Sequence, residues 1–295
     1  MGGEKVTPQV RNLIASVVYG GNMTRQTMND IHTILDGDKT DRDKAFRDQI
    51  RSRMERAKDD TRRQIAGLAT VEEVPEFNPA RFLLTPADYR AAKNVIDALR
   101  VAAQLEHWGI RYAPAILLHG ATGCGKTTLA RYIAHEAGLP FVLLNLNNIT
   151  DSLLGQTEKN ISKVFAYAAQ EPCVLCLDEI DALAIRRGTE DNSGAISRAC
   201  ISLMQSLDRM PNTSIIVGTT NRFDDLDPAF VRRFQVEHKV LPLSGEDAGF
   251  LRDMFFDSTT GISPDDLVWP DGTPAYQVIN QCTARLIEEL AKNAI

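Results

Sequence analysis

Short runs of apolar residues alternate with longer amphipathic stretches along most of the chain after Phe82. Uninterrupted apolar runs are typical of strands that are buried on both faces of a sheet. We predict strands at Ala115–His119, Phe141–Leu146, Cys173–Leu177, Ser214–Gly218 and Val236–Val240. Helical spacing predicts helices between them, at Leu129–Ala137, through Lys163 and Ala168, and at Ala195–Asp208. This order predicts an α/β fold with a parallel sheet covered by helices on both faces.

The first 77 residues follow a different pattern, with helical spacing and dense charge. From Phe46 to Ala57 the apolar or small positions recur every three or four residues. This pattern indicates a solvated amphipathic helix that lies on a neighbour, with a short coiled-coil arm as the alternative. The proline-broken stretch Val71–Pro79 predicts a linker. We therefore predict a helical partner-binding region at 1–77, a large α/β subdomain at 78–241 and a small helical lid at 242–295.

Composition narrows the range of partners and compartments. The net charge is −6, and a dedicated nucleic-acid binder usually has a basic excess, so nucleic acid is an unlikely partner. No apolar run is long enough to span a bilayer, so we expect no membrane insertion. Five cysteines without a visible secretory signal indicate free thiols in a reducing, cytoplasmic setting. Cys173 and Cys176 form a CxxC pair, but on a strand these positions point to opposite faces, which argues against a redox pair or a metal clip.

The strongest chemical signal is the sequence GATGCGKT at 120–127, which fits the GxxxxGK[ST] pattern in full. It follows a predicted strand and opens a predicted helix, which is the context that a phosphate-binding loop requires. Its glycines let successive backbone N–H groups point at phosphate oxygens, and the helix N-terminus adds positive charge. We predict that ATP is bound by Gly120, Ala121, Thr122, Gly123, Cys124, Gly125, Lys126, Thr127 and Thr128.

Two acidic residues follow the apolar strand near Leu177. In open α/β sheets, ligands bind at the carboxyl ends of the strands, and Asp178 and Glu179 lie at such an end. Asp178, together with the Thr127 hydroxyl, is predicted to hold Mg²⁺. Glu179 is then the predicted general base that activates the attacking water.

Further polar groups follow the next strand. The run SIIVGTTN ends in Asn221, which could present a neutral amide near the γ-phosphate. A short predicted helix then ends in Arg232 and Arg233. Two adjacent arginines are often a solvated surface, but in a phosphate-loop ATPase they also fit the pattern of an arginine finger.

From about Arg81 to Ile295 the chain resembles AAA ATPases of the protein-remodelling clade, which includes katanin, spastin and the membrane-fusion ATPases. The matching segments occur in the family's order and spacing. They are ILLHGATGCGKTTLARYIAHEAGLPF, LLGQTEKNISKVFAYA, VLCLDEIDALAIRRG and VGTTNRFDDLDPAFVRRF. The resemblance implies a five-stranded parallel sheet with helices on both faces and a small helical lid.

The resemblance also implies roles for single residues. Asn221 falls on the sensor-1 position, and Arg232 and Arg233 fall on the finger pair that reaches the neighbouring subunit's nucleotide. Ala275 belongs to a lid segment that packs near the base and ribose. The substrate pore loop corresponds to Leu153, Leu154 and Gly155, where Leu153 replaces the family's aromatic residue.

Together these features predict a Mg²⁺-dependent ATPase that assembles into a homo-hexameric ring and remodels a protein partner. Two other functions stay open. One is a nucleic-acid-handling AAA protein of the helicase-loader type, and the other is a nucleotide-switched scaffold that does not thread its substrate.

Overall fold

The computed structural model describes residues 62–110, 112–146, 156–184, 194–261, 264 and 266–293, with isolated positions between Val10 and Arg53. Its centre is a six-stranded sheet. The strands are β1 (Thr70–Glu72), β2 (Ala115–His119), β3 (Phe141–Asn145), β4 (Val174–Asp178), β5 (Ile215–Thr220) and β6 (Val236–Lys239). Their order across the sheet is β1-β3-β4-β5-β2-β6, and only β1 runs antiparallel to its neighbour. The five predicted parallel strands are therefore confirmed.

Seven α-helices have both of their ends within the described residues. They are α1 (Pro86–His107), α2 (Lys126–Ala137), α3 (Gln156–Gln170), α4 (Gly194–Asp208), α5 (Pro228–Val231), α6 (Gly245–Asp257) and α7 (Ala275–Asn293). Local sequence fixes several of the helix ends. Thr85 and Asp88 form a reciprocal capping box at the start of α1, and Gly138 ends α2 in a left-handed conformation that suits glycine.

The sheet buries two separate apolar layers. One layer contains α3 and α4 with strand residues such as Leu117 and Leu175. The other contains α1 and α2 with the alternate strand residues, such as Ile116 and Cys176. Cys173 lies in the first layer and Cys176 in the second, which confirms that this CxxC pair points to opposite faces.

The linker that we predicted at Val71–Pro79 is wrong for its first residues. Strand β1 pairs with β3 in the register Thr70↔Leu143 to Glu72↔Phe141. Further upstream, Ile65 is buried in the α3–α4 layer, so the chain already packs on the sheet before the predicted boundary at 77. Most of residues 1–61 lie outside the described residues. Within that stretch, a separate buried cluster contains Ile14, Val18, Ile31 and Ile50.

The residues that we predicted as a lid form a helical unit after Val240, for which the name lid is kept below. Helices α6 and α7 enclose their own apolar cluster, which contains Phe255, Phe256, Trp269 and Val278. The backbone of Leu243 exchanges hydrogen bonds with Gly272 and Thr273, which brings the start of α7 back to the segment that follows β6. Among the described residues, no helix is long and apolar enough to cross a membrane.

Candidate functional site

A cavity of about 390 Å³ lies where the carboxyl ends of β2, β4 and β5 meet helix α7 of the lid. Ligands of open parallel sheets bind at this edge. It is lined by Arg81, Phe82, Thr122, Gly123, Gly125, Lys126, Thr127, Thr128, Asp178, Glu179, Thr219, Asn221, Ala275, Tyr276, Ile279 and Asn280. The cavity therefore brings together residues that the sequence predicted for the phosphate, metal, base and sensor positions.

The phosphate loop is arranged by its glycines. Gly125 precedes helix α2 with φ 100°, a left-handed conformation that most other residues adopt only with strain. The next residue, Lys126, is mostly buried, and its Nζ donates hydrogen bonds to the carbonyls of Gly120 and Ala121, both at 2.9 Å. A third bond runs from Nζ to Oδ1 of Asn221 at 2.5 Å. Burial lowers the pKa of the Lys126 ammonium, although nearby carboxylates counteract this effect.

Two acidic residues at the end of β4, Asp178 and Glu179, line the cavity. Successive residues of a strand point to opposite faces, so Asp178 and Glu179 could share the cavity only if the strand were broken between them. Glu179 has φ 56°, and among the described residues it alone has positive φ without being glycine. Left-handed backbone is uncommon for such residues and often marks a functional site. Both residues belong to the lining of the cavity, and the left-handed residue is the second of them.

A hydroxyl network fixes the aspartate. Oδ1 of Asp178 accepts hydrogen bonds from Oγ1 of Thr219 at 2.5 Å and from Oγ1 of Thr127 at 3.2 Å. The backbone N–H of Glu179 donates to the same Thr219 hydroxyl at 3.2 Å. Thr219 thus links the carboxylate of Asp178 to the backbone of Glu179.

The donors at this place suit Mg²⁺. Thr127 and Asp178 offer hard oxygen ligands beside the phosphate loop, and Mg²⁺ usually takes one or two protein oxygens and completes its shell with phosphates and water. Within the described residues, no group of three or more His, Cys, Asp or Glu side chains forms a complete metal cage. This arrangement fits an ion that binds only when nucleotide phosphates supply some of its ligands.

The lid closes one side of the cavity. Ala275 and Tyr276 at the start of α7 both belong to the lining. The N–H of Tyr276 donates to the carbonyl of Gly123 at 3.2 Å. A Cβ at Gly123 would lie 2.0 Å from the Tyr276 ring, so only glycine permits this close approach. The lid and the phosphate loop are therefore in direct contact.

Arg232 and Arg233 lie elsewhere. They line a second cavity of about 610 Å³, which shares none of its lining residues with the first. The Arg233 guanidinium donates from Nε and NH2 to the two carboxylate oxygens of Asp208, both at 2.9 Å. Arg232 donates from Nε to the carbonyl of Pro228 at 3.2 Å. The two arginines are thus placed apart from the other predicted catalytic residues of their own chain.

Other predicted residues have different outcomes. The Cys124 side chain is buried in the α1–α2 layer, so at this position the phosphate loop offers its backbone rather than its thiol. Leu153, Leu154 and Gly155 lie outside the described residues. The sequence analysis did not assign a role in the site to the lining residues Arg81, Phe82, Thr219, Tyr276, Ile279 and Asn280. Only Thr219 carried a usable signal, since it lies near the carboxyl end of a strand beside β4.

Comparisons with known proteins match the part of the chain that contains the phosphate loop and Asp178. The model of the family described as "ATPase family associated with various cellular activities (AAA)" matches residues 116–241. The uncharacterized AAA family ATPase y4kL of Sinorhizobium fredii is 35% identical over 160 residues, which cover 54% of this chain and 48% of that protein. The human peroxisomal ATPase PEX6 is 35% identical over 164 residues, covering 52% and 16%.

A third relative is the 26S proteasome subunit RPT4 of Saccharomyces cerevisiae, which is 38% identical over 145 residues, covering 47% of this chain and 33% of that protein. The chain spans less than half the length of each of these relatives. The matched residues hold both the phosphate loop and the paired carboxylates of β4, so similarity and geometry locate one site. Residues 116–241 therefore form an ATPase domain of the AAA family.

Proposed function

We propose that this chain is a Mg²⁺-dependent ATP hydrolase that works as a ring, with six copies as the expected number, and remodels a protein partner. The observation that carries the proposal is the division of the predicted catalytic residues between two separate cavities. Lys126, Asp178 and Glu179 share one cavity, whereas Arg232 and Arg233 line another. A site divided in this way is complete only when a second copy supplies the arginines.

Within the first cavity the residues divide the chemistry. Lys126 and the N–H groups of the loop bind the phosphates, and the positive end of α2 adds to their field. Glu179 accepts a proton from the attacking water, which Asn221 helps to orient. Thr127 and Asp178 would hold Mg²⁺, which when bound neutralises charge on the phosphate oxygens.

The arginines act on the neighbour's nucleotide in this proposal. A guanidinium placed against the γ-phosphate stabilises the charge that spreads over its oxygens in the transition state. The Asp208 carboxylate, which binds Arg233 bidentately, holds that side chain in one orientation. Because these groups lie on a surface away from their own ATPase cavity, they are available to an adjacent copy.

The choice of a protein substrate rests on the resemblance to the remodelling clade and on the acidic chain. One relative, RPT4, is named as a subunit of the 26S proteasome. The N-terminal residues would select the partner, and the loop at Leu153 would contact it. The five cysteine side chains are buried and form no disulfide within the described residues, which suits the cytoplasmic setting that we propose.

Adding potential substrates separately to the ATPase assay tests this choice. We expect a permanently unfolded protein to raise the rate of ATP hydrolysis, and we expect single-stranded DNA and RNA to leave it unchanged. Stimulation by DNA or RNA alone would instead indicate the helicase-loader type. Intact turnover that none of the three changes would favour a nucleotide-switched scaffold.

Lys126→Ala is expected to weaken ADP binding by about tenfold or more, because a hydrogen bond to a charged group contributes about 1.5–3 kcal/mol. Calorimetric titration with ADP measures this loss. Lys93→Ala, which removes an exposed lysine paired with Asp97 on α1, is the matched control and should bind ADP like the parent protein. Equal affinity in the two variants would remove Lys126 from the phosphate site.

A further inference from the structure

Residues Thr70–Phe82, here called the strap, precede the residues matched by the family model and run along helix α2. The strap begins as strand β1 at the edge of the sheet and ends at Phe82 in the nucleotide cavity. Helix α2 begins with Lys126 and Thr127 of the phosphate loop. The strap therefore joins the N-terminal part of the chain to the element that positions the phosphates.

The first contact between strap and helix is an ion pair. Arg131 of α2 donates from Nε to both carboxylate oxygens of Glu72, at 3.2 and 3.1 Å, and from NH2 to Oε1 at 2.9 Å. These hydrogen bonds are the main cause of the raised pKa of Arg131. The same guanidinium lies over the ring of Phe141, 5.0 Å from its centroid, and Phe141 is the strand partner of Glu72. Arg131 is thus fixed from two directions.

Two further contacts follow toward the end of the helix. Nδ1 of His135 lies 2.9 Å from the carbonyl oxygen of Pro75, which can only accept, so this nitrogen carries the hydrogen. The ring of Phe77 meets the ring of Tyr132 edge-on, with centroids 5.0 Å apart. Through these contacts, the strap follows α2 from the middle of the helix to its last turn.

The strap then returns to the start of the helix. Phe82 is buried, and its ring packs edge-on against Phe77 with centroids 5.9 Å apart. A Cβ at Gly125 would lie 2.7 Å from the Phe82 ring, so this ring rests directly on the backbone of the phosphate loop. Any displacement of the strap would therefore disturb the loop.

Helical spacing explains how the ion pair could act on the site. Thr127, Arg131 and His135 are four residues apart, so they occupy one face of α2. The first of them donates to Asp178 in the cavity, and the other two bind the strap. The strap consequently holds the same helix face that presents the Thr127 hydroxyl.

We propose that the strap positions helix α2 for nucleotide binding, with Glu72 as a positioning residue that acts through Arg131. A partner that pulls on the N-terminal residues would loosen the strap and lower nucleotide affinity. By linkage, bound nucleotide tightens the strap by the same factor. The inference rests on the proposed function only in requiring that the cavity binds a nucleotide.

The test compares two charge reversals in the full chain. Glu72→Lys places like charges beside Arg131 and should weaken ADP binding by about fivefold or more, the lower end of typical coupling between sites. Glu289→Lys on α7 is the control. Its pairing with Arg285 is equally exposed, at 34% and 32% against 35% and 33% for Arg131 and Glu72. We expect this control to bind ADP like the parent protein.

A restoration experiment separates positioning from general damage. Adding Arg131→Glu to Glu72→Lys restores an opposite-charge pair, and ADP affinity should return to nearly the parent value. A combined variant weaker than either single variant would overturn the proposal. If charge reversal unfolds the protein, Glu72→Gln keeps the side-chain volume and is compared with Glu289→Gln, with a loss again expected only at Glu72.

Hydrogen exchange gives a readout that a merely structural ion pair would not change. Saturating ADP should slow exchange of the β1 amides by about fivefold in the parent protein, and this slowing should disappear in Glu72→Lys. Exchange that is independent of ADP would overturn the proposal. If the parent protein bound no ADP, the proposed function would fail instead, so the two failures are distinguishable.

Discussion

Replacing Glu179 with glutamine is expected to lower ATP turnover by about 10²-fold or more while ADP and ATP still bind. General-base catalysis contributes about 10²–10⁴-fold, and an amide cannot accept the proton. Glutamine keeps the size of the side chain, so the left-handed turn after Asp178 is conserved. Steady-state turnover and calorimetric nucleotide affinity, measured on the same preparation, separate the loss of chemistry from the loss of binding.

The matched control is Glu136→Gln, which makes the same chemical change on an exposed position of α2 outside the cavity lining. It should retain the turnover of the parent protein. Turnover of the Glu179 variant within tenfold of the parent would remove Glu179 from the role of base. Another residue of the cavity would then have to accept the proton from the attacking water.

Arg233→Ala should reduce turnover still further, by about 10³-fold or more, because an arginine finger contributes about 10³–10⁵ in rate. Nucleotide affinity should change little, since Arg233 does not line the cavity of its own chain. The same assay on Arg232→Ala shows how the two arginines share the effect. Turnover that falls by less than tenfold in both variants would contradict the finger assignment.

The ion pair with Asp208 provides a control for structural damage. Arg233→Ala removes both the guanidinium and its contact with this carboxylate. Asp208→Asn removes only the charge of the partner, and the Asp208 side chain is 53% exposed, so the pair itself contributes little to stability. We expect Asp208→Asn to keep far more turnover than Arg233→Ala.

The parallel sheet and its phosphate loop could be predicted because their signals are local. Each central strand is buried on both faces and therefore reads as a continuous apolar run, as Val174–Leu177 illustrates. The glycines and Lys126 act through backbone geometry that only a few residue types allow. Asp178 and Asn221 could be added because the ends of parallel strands meet at one edge.

Strand β1 could not be predicted, for a physical reason. It has three residues, and its place depends on Glu72 meeting Arg131, which lies 59 positions later. Its sequence also continues into a proline-broken stretch, which resembles a linker when it is considered alone. Long-range ion pairs and edge pairing leave no periodic signal in such a short segment.

The sequence did not predict the aromatic residues that line the cavity, for a related reason. Phe82 and Tyr276 come from opposite ends of the ATPase region, and each lies on a glycine of the phosphate loop. Neither residue belongs to a local pattern that marks it as a ligand-binding group. The left-handed backbone at Glu179 was equally invisible, since no local sequence pattern marks a residue other than glycine for this conformation.

The measurement that tests the central claim most directly is a titration of Arg233→Ala against Glu179→Gln at fixed total protein. Each variant is expected to be inactive alone. In a mixed ring, some interfaces join an intact Glu179 to an intact Arg233, so specific activity should rise to a maximum near equal amounts. Dilution of the parent protein by each variant is the control. It shows how far an inactive copy also stops its neighbours, as expected if the sites hydrolyse ATP in sequence. No gain at any ratio, with co-assembly of the two variants demonstrated, would contradict a site shared between neighbouring copies.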